Sequence, residues 1–258
     1  LDEDEYPLEM HRFLFDLMKK FDLCFSFPGD DTHYLVPELL DKQEPLEAAE
    51  FKPEECLNFQ YHYPVLTEGL LPRFIVRTHV LSEGLPRWRT GVILKFGGCR
   101  ALVKADVQDK KVFIHVSGPQ SSRRQLLAVI RSDFERIHHD IRNLQPQEMV
   151  PVPGNPEVVV PYNDLLLWES ENRPTYSVRA SGRILDLNVR EMLNGVDLDG
   201  ERKRERPVDI RSETVRLFIS YSHKDENLRN ELQTHIKLLQ RRGVIDAWDD
   251  RKIDPGDE

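Results

Sequence analysis

Cysteine is scarce in this 258-residue chain: Cys24, Cys56 and Cys99 lie far apart, with no Cys-x-x-Cys pair. That spacing excludes a disulfide framework and a structural zinc site of the common kind, and it suits a reducing, cytoplasmic setting. Long apolar runs are missing as well. Leu165-Leu166-Leu167-Trp168 and its like fall far short of the roughly 20 residues that cross a bilayer, so no membrane partner is expected. The chain starts at Leu1 without a basic-then-apolar leader and stops inside a motif, so it reads as a piece of a longer protein. There is no G-x-x-x-x-G-K-[ST], no H-E-x-x-H and no G-x-S-x-G. No phosphate loop, zinc protease helix or nucleophile elbow is therefore encoded, and neither a catalytic residue nor a metal ligand is expected. His138 and His139 are adjacent on a helical stretch, about 100° apart, and cannot share a metal. The acidic group Asp249, Asp250, Asp254, Asp257 and Glu258 lacks calcium-loop spacing and reads as a solvated loop.

What is present is charge, and it is unevenly spread. The chain carries 36 Lys+Arg against 45 Asp+Glu, a formal net charge of −9 with mean hydropathy −0.53. Residues 1–60 hold 16 acids and 5 bases, whereas residues 61–150 hold 8 acids and 14 bases. An acidic first block argues against nucleic acid as its partner, because phosphate contacts need a basic footprint. The two blocks can dock on one another, meet complementary partners, or remain two solvated faces. The run Ser117–Arg124 puts free N–H groups and two arginines at a helix start; ordinary capping is the plain reading.

Periodicity then divides the chain. Met10, Phe13, Leu14, Leu17, Met18 and Phe21 recur at helical spacing and predict a helix burying one stripe, with Pro7 in its first turn. Leu23, Phe25 and Phe27 alternate as a strand, Pro28 to Asp31 turn, and His33–Val36 return. Residues 1–40 thus read as the closing half of a winged-helix-like unit. Residues 41–56, acidic with two prolines, read as a linker. Residues 57–145 predict the order β-α-β-β-β-α. The parts are a strand from Leu57, a helix capped by Thr67 with Leu70, Leu71, Phe74, Ile75 and Val80 inward, and an antiparallel meander over Trp88–Phe96, Arg100–Val107 and Lys111–Val116.

A long helix capped at Ser121 or Ser122 closes that unit. Leu126, Ile130, Phe134, Ile137 and Ile141 face in, and Arg123, Arg124, Arg131, Arg136, His138, His139 and Arg142 face out. Residues 146–198 form a trailing extension: the proline-rich 145–162 reads as an extended crossing segment, with short helices at Tyr162–Glu169 and Asp186–Asn194 and a stop at Gly195. Residues 199–214 are a charged linker. Residues 215–258 predict a strand, a helix carrying Leu228, Leu232, Ile236 and Leu239, and a parallel strand at Val244–Trp248. The fold class is α+β, followed by a partial α/β unit.

Two family resemblances are carried by particular motifs. Phe21-Asp22-Leu23-Cys24-Phe25 with Tyr34-Leu35-Val36-Pro37-Glu38-Leu39-Leu40 resembles the end of the first COR subdomain of Roco proteins. Leu71-Pro72-Arg73-Phe74-Ile75-Val76-Arg77, Trp88-Arg89-x-Gly91-Val92 and the helix before Ile137-His138 resemble the second subdomain. Tyr162-Asn163-Asp164-Leu165-Leu166 and Val189-x-x-Met192-Leu193-Asn194-Gly195 are similar to the segment trailing it. The resemblance implies a dimerisation and relay device, following a Roc GTPase domain in cis that binds GTP or GDP, often behind leucine-rich repeats. A homodimer is implied through residues 57–145. Arg77, Trp88 and Arg89 are interface candidates because aromatic and Arg side chains dominate interface energetics.

The second resemblance, Leu217–Asp225 with Trp248–Glu258, is similar to the opening of a TIR domain. It implies TIR–TIR association and places Ser220, Tyr221, Ser222, Asp225, Pro255 and Gly256 in loops bordering that family's ligand site. The glutamate that some TIR domains use to cleave NAD sits on a later helix, so no catalytic residue carries over and the chain itself is not expected to be an enzyme. The alternative is that it is the scaffold part of one, with GTP hydrolysis by a Roc domain or NAD cleavage by a whole TIR domain.

Overall fold

Strict apolar alternation at Leu57, Phe59 and Tyr61, at Ala101 and Val103, and at Val112, Ile114 and Val116 turns one side of each segment into a core face. In the computed structural model these segments join one sheet of seven strands in the order β2-β3-β4-β5-β1-β6-β7, each neighbour antiparallel. The strands are β1 (Leu57–His62), β2 (Arg87–Trp88), β3 (Gly91–Phe96), β4 (Cys99–Asp106), β5 (Lys111–Ser117), β6 (Gln147–Val152) and β7 (Asn155–Pro161). Helices α2 (Leu70–Arg77), α3 (Gln120–Asp140), α4 (Tyr162–Ser170) and α5 (Val189–Asn194) build the same core; α1 (Leu8–Lys20) precedes them. The fold is α+β. The structure describes residues 6–27, 29, 30, 32–141, 144–180, 182–195, 215–219 and 245–249.

The chain divides into two compact units, residues 1–202 and 203–258. In the second, β10 (Val215–Ile219) and β11 (Ile245–Asp249) pair in parallel, with Val215 opposite Ile245 and Ile219 opposite Asp249, the relation expected from the sequence. The helix expected between them, the linker at 199–214 and the six TIR-loop positions lie outside the described residues.

Several expectations are corrected. The α1 stripe does not face a core: Met10, Phe13, Leu17 and Phe21 are exposed, Phe13 by 63%. The helix is instead held by its other side, where Phe15 stacks on Tyr34 at 4.2 Å and Lys19 lies over the same ring. The expected hairpin after it shrinks to a single bridge, Phe25 with Leu35. Helix α2 ends at Arg77 and a 3₁₀ turn follows over His79–Ser82, which leaves Val80 exposed. Helix α3 begins after Pro119, with no side-chain cap from Ser121 or Ser122; the proline's φ of −58° is already helical.

The proline-rich stretch before α4 is not a crossing segment but the hairpin β6–β7. Its prolines are tolerated for local reasons. Pro151 sits where the register shifts, and Pro156 and Pro161 lie on the edge strand, where no ladder N–H is required of them. Asp186 belongs to a second, separate hairpin of β8 (Thr175–Ala180) and β9 (Arg183–Asn188). Only Val189–Asn194 is helical there, capped by the Asn188 side chain, which accepts from the Arg190 and Glu191 amides.

The linker at 41–56 is also packed. Ala48, Phe51 and Cys56 close over Trp88, Ile93 and Leu102, whose side chains point away from the helices. Trp88 is opposite Gly91 in the β2–β3 register, and its ring covers that position. A Cβ on Gly91 would lie 2.2 Å from Trp88 Cζ2. Gly91→Ala is therefore expected to cost about 1–3 kcal/mol by overpacking, read as a lowered urea midpoint with unchanged slope. An unchanged midpoint would show that the indole relocates freely.

Candidate functional site

Helix α3 is the element to which the rest of the unit is tied. Leu126, Ile130, Phe134 and Ile137 are 0–1% exposed along its inner side, and Phe134 stacks on Phe74 of α2 at 4.2 Å. Its polar side is equally engaged. Arg131 forms a two-pronged pair with Glu148 of β6 at 2.8 and 2.9 Å while its guanidinium lies over the Tyr162 ring. Arg124 does the same with Glu169 of α4 at 2.8 and 2.9 Å. Arg123 is 5% exposed and donates to the Gly118 carbonyl. His138 shares a 2.9 Å hydrogen bond with the Tyr63 hydroxyl, and burial pushes its pKa down to about 4. The expectation that these four face solvent fails because a helix laid across a wide sheet has partners on three sides. Paired geometry lets arginine be buried where lone charge could not.

Tyr61 lies in the same seam, 5.1 Å from both Phe134 and His138 ring centres. Its hydroxyl has no hydrogen-bond partner of good geometry among the described residues, and burial beside Glu148 pushes its ionisation up. A buried neutral phenol supplies packing here rather than acid–base chemistry.

A second group joins the N-terminal segment to this frame. Asp22 closes α1 with a left-handed φ of 55°, and its carboxylate accepts from Arg77 Nε at 2.7 Å. Arg77 also donates to Asp140, the last residue of α3, at 3.0 Å. Arg89 holds the segment further on, its amide donating to the Asp41 carbonyl and its side chain to that of Leu40. Glu44 pairs with Lys104 and Glu50 with Arg100. The acidic first block thus docks on the basic second one within the chain. Of the three interface candidates, Arg77 and Arg89 serve this internal contact while Trp88 is buried at 3% exposure, so the structure does not gather them into one patch. Asp22 and Arg123 went unnoticed in the sequence as positioning groups; the opposed charge blocks were the available signal for the first.

A third feature is the end of α5. Gly195 has φ 73°, and its carbonyl accepts from Gln120 Nε2 at 2.8 Å. A Cβ there would come within 2.8 Å of Leu57 N, Cys56 O and Arg123 Nη1, so only glycine lets the chain pass between β1 and α3.

Asp30, Thr32 and His33 look triad-like, yet both polar contacts of His33 meet its Nδ1 and its side chain is 83% exposed. The group is a turn, in which the amides of Thr32 and His33 donate to Asp30. Hydrogen bonds from Thr32 and then His33 pull the Asp30 carboxyl down to about 2. No His/Cys/Asp/Glu group among the described residues could hold a metal, and the three cysteines are buried and unbridged. Among those residues no helix is long and apolar enough to cross a membrane.

The profile of the COR-B domain, described as C-terminal of Roc, matches residues 54–195, more than half of the chain. The chain belongs to the COR-B family. The match opens beside β1 and closes on Gly195, taking in the seven-stranded sheet, α2 to α5 and the β8–β9 hairpin, so the COR-B unit includes the β6–β7 hairpin. A 42-residue stretch is 48% identical to the uncharacterized protein y4lF of Sinorhizobium fredii (strain NBRC 101917 / NGR234). That stretch is 16% of this chain and 13% of that protein, so the chain spans well under two thirds of this curated relative.

Proposed function

We propose that this chain is the dimerisation and relay module of a Roco-type protein. It couples a Roc GTPase domain in cis, which binds GTP or GDP, to a TIR effector to which residues 215–258 belong. The observation that carries the reading is the COR-B match over 54–195. The parallel pairing of β10 with β11 supports the TIR part, since parallel neighbours belong to α/β sheets. Nucleotide is bound outside this chain, whose sequence has no phosphate loop. The chain itself acts without catalysis: the nucleotide state alters subunit geometry, and the shift passes through the COR-B unit. TIR units associate with one another, and the protein works in the cytoplasm.

Homodimerisation is the testable core of this reading. Light scattering on the 258-residue chain at high micromolar concentration is expected to give twice its 30.2 kDa mass. A mass of one chain throughout that range would overturn it. Arg77→Ala is expected to loosen the N-terminal segment without abolishing the dimer, because Arg77 is occupied by Asp22 and Asp140 of its own chain.

A further inference from the structure

Residues 41–56 lie over the sheet in an unusual way. Among the described residues they contribute no strand and no α-helix, only 3₁₀ turns at Leu46–Glu50 and Pro53–Glu55. No backbone ladder ties them to β3 or β4, whose neighbours in the sheet are already taken. They are held by the Arg89 contacts to Leu40 and Asp41, by Asn58 Nδ2 donating to the Pro53 carbonyl at 2.7 Å, by two exposed ion pairs, by Arg100 lying over the Phe51 ring, and by three apolar side chains. The ion pairs are Glu44–Lys104 at 3.0 Å and Glu50–Arg100 at 2.8 Å, with side chains 34–58% exposed. Pairs of that exposure are weak and screened by salt.

What lies beneath is different in kind. Trp88, Ile93 and Leu102 are 0–3% exposed and cluster with Ala48, Phe51 and Cys56 of the segment, with Leu85 packed against them, and this cluster is separate from the main core on the helix side. A well-buried apolar face is thus covered by a segment whose ion pairs to the sheet are few and solvent-exposed.

We propose that residues 41–56 are a releasable strap, closed by the Glu44–Lys104 and Glu50–Arg100 pairs, whose opening bares the Trp88–Ile93–Leu102 face and frees the N-terminal segment from β3 and β4. The strap deepens the relay reading, on which its purpose rests: it is the tether between the N-terminal helix and the sheet. Its existence is independent of dimerisation. Opening is local, with the main core and its ladder intact.

Cys56 is the built-in reporter, since it ends the strap with its thiol buried in the cluster the strap closes, whereas Cys99 is buried in the main core. The full chain is treated with iodoacetamide, and labelling of each cysteine is followed by peptide mass spectrometry. Cys56 is expected to react at least about tenfold faster than Cys99. Raising salt from about 0.1 to 1 M, which shortens the screening length from about 10 to 3 Å, should speed Cys56 about three- to tenfold and leave Cys99 unchanged. The double variant Glu44→Lys/Glu50→Lys should label Cys56 rapidly at low salt and lose the salt response. Both substituted side chains are exposed, so the variant should keep the wild-type urea midpoint. Equal rates at Cys56 and Cys99, or a Cys56 rate indifferent to salt, would overturn the strap. Repeating the labelling at two protein concentrations separates the readings: a failed dimer leaves the Cys56 response intact, and a failed strap leaves the dimer mass intact.

Discussion

Phe134→Ala is expected to destabilise the COR-B unit by about 3–5 kcal/mol, the largest loss from any single side chain in this seam. Phe134 is fully buried, stacks on Phe74 at 4.2 Å with planes 10° apart, and meets Tyr61 at 5.1 Å. Truncation removes the transfer energy of the ring and leaves a cavity between α2, α3 and β1. Those elements cannot collapse into it, because α3 is fixed near its start by Arg124–Glu169, at its middle by Arg131–Glu148 and at its last residue by Asp140–Arg77. Against a total of about 5–15 kcal/mol for a domain, the loss is near the margin of folding. Urea denaturation followed by far-UV circular dichroism reads it directly. Phe134→Leu, which keeps most of the volume, should cost less than about 1.5 kcal/mol. A loss below about 1 kcal/mol in the alanine variant would mean that α3 is not packed as described.

Stability is expected to fall as pH drops from about 6.5 toward 4, above most of the range in which carboxylates titrate. His115 and His138 are both held neutral, their pKa values pushed down to about 4 by burial first, with Lys104 adding to the effect at His115. The native protein therefore binds fewer protons than the unfolded chain between those limits. Each histidine's contribution is fully present above about 6.5 and is lost as pH falls toward its folded value. For His115, bonded to Asn58 at 2.7 Å, the loss amounts to about 3 kcal/mol. For the more exposed His138 it is discounted to about 1–2 kcal/mol. Urea midpoints measured at intervals from pH 7.5 to 4.5 should hold level to about 6.5 and drop below it, and His115→Gln should flatten the curve. Resonances assigned to the His115 and His138 imidazoles that titrate near 6.5 in the native protein would refute the mechanism.

The seam and the acid response were unequally legible in the sequence. Phe134 announced itself by helical spacing with Leu126, Ile130 and Ile137, because a helix buried on one face must repeat its apolar residues every three or four positions. The strands β1, β4 and β5 were legible for the equivalent reason at period two. His138 was read as solvated, since spacing assigns a residue to a helical face but does not say how many elements that face meets. The α1 stripe shows the converse: the pattern marks a surface suited to burial, and only the tertiary structure shows whether the described residues supply anything to cover it.

Local pattern by itself determined the meander, the long helix after it and the α+β class, because each follows from backbone geometry repeated over a few residues. The COR-like motifs came from the same short stretches, and the profile match over 54–195 bears out those that lie within it. Only the tertiary structure decided that β6 pairs with β1, that residues 41–56 cover Trp88, and that Asp22, Arg77 and Asp140 meet. These contacts join residues far apart in the chain, 55 positions from Asp22 to Arg77 and 89 from Gln60 to Met149. No local period encodes such a pairing; it is selected by which apolar faces remain open once the sheet has formed, and by which opposite charges that closure brings within reach.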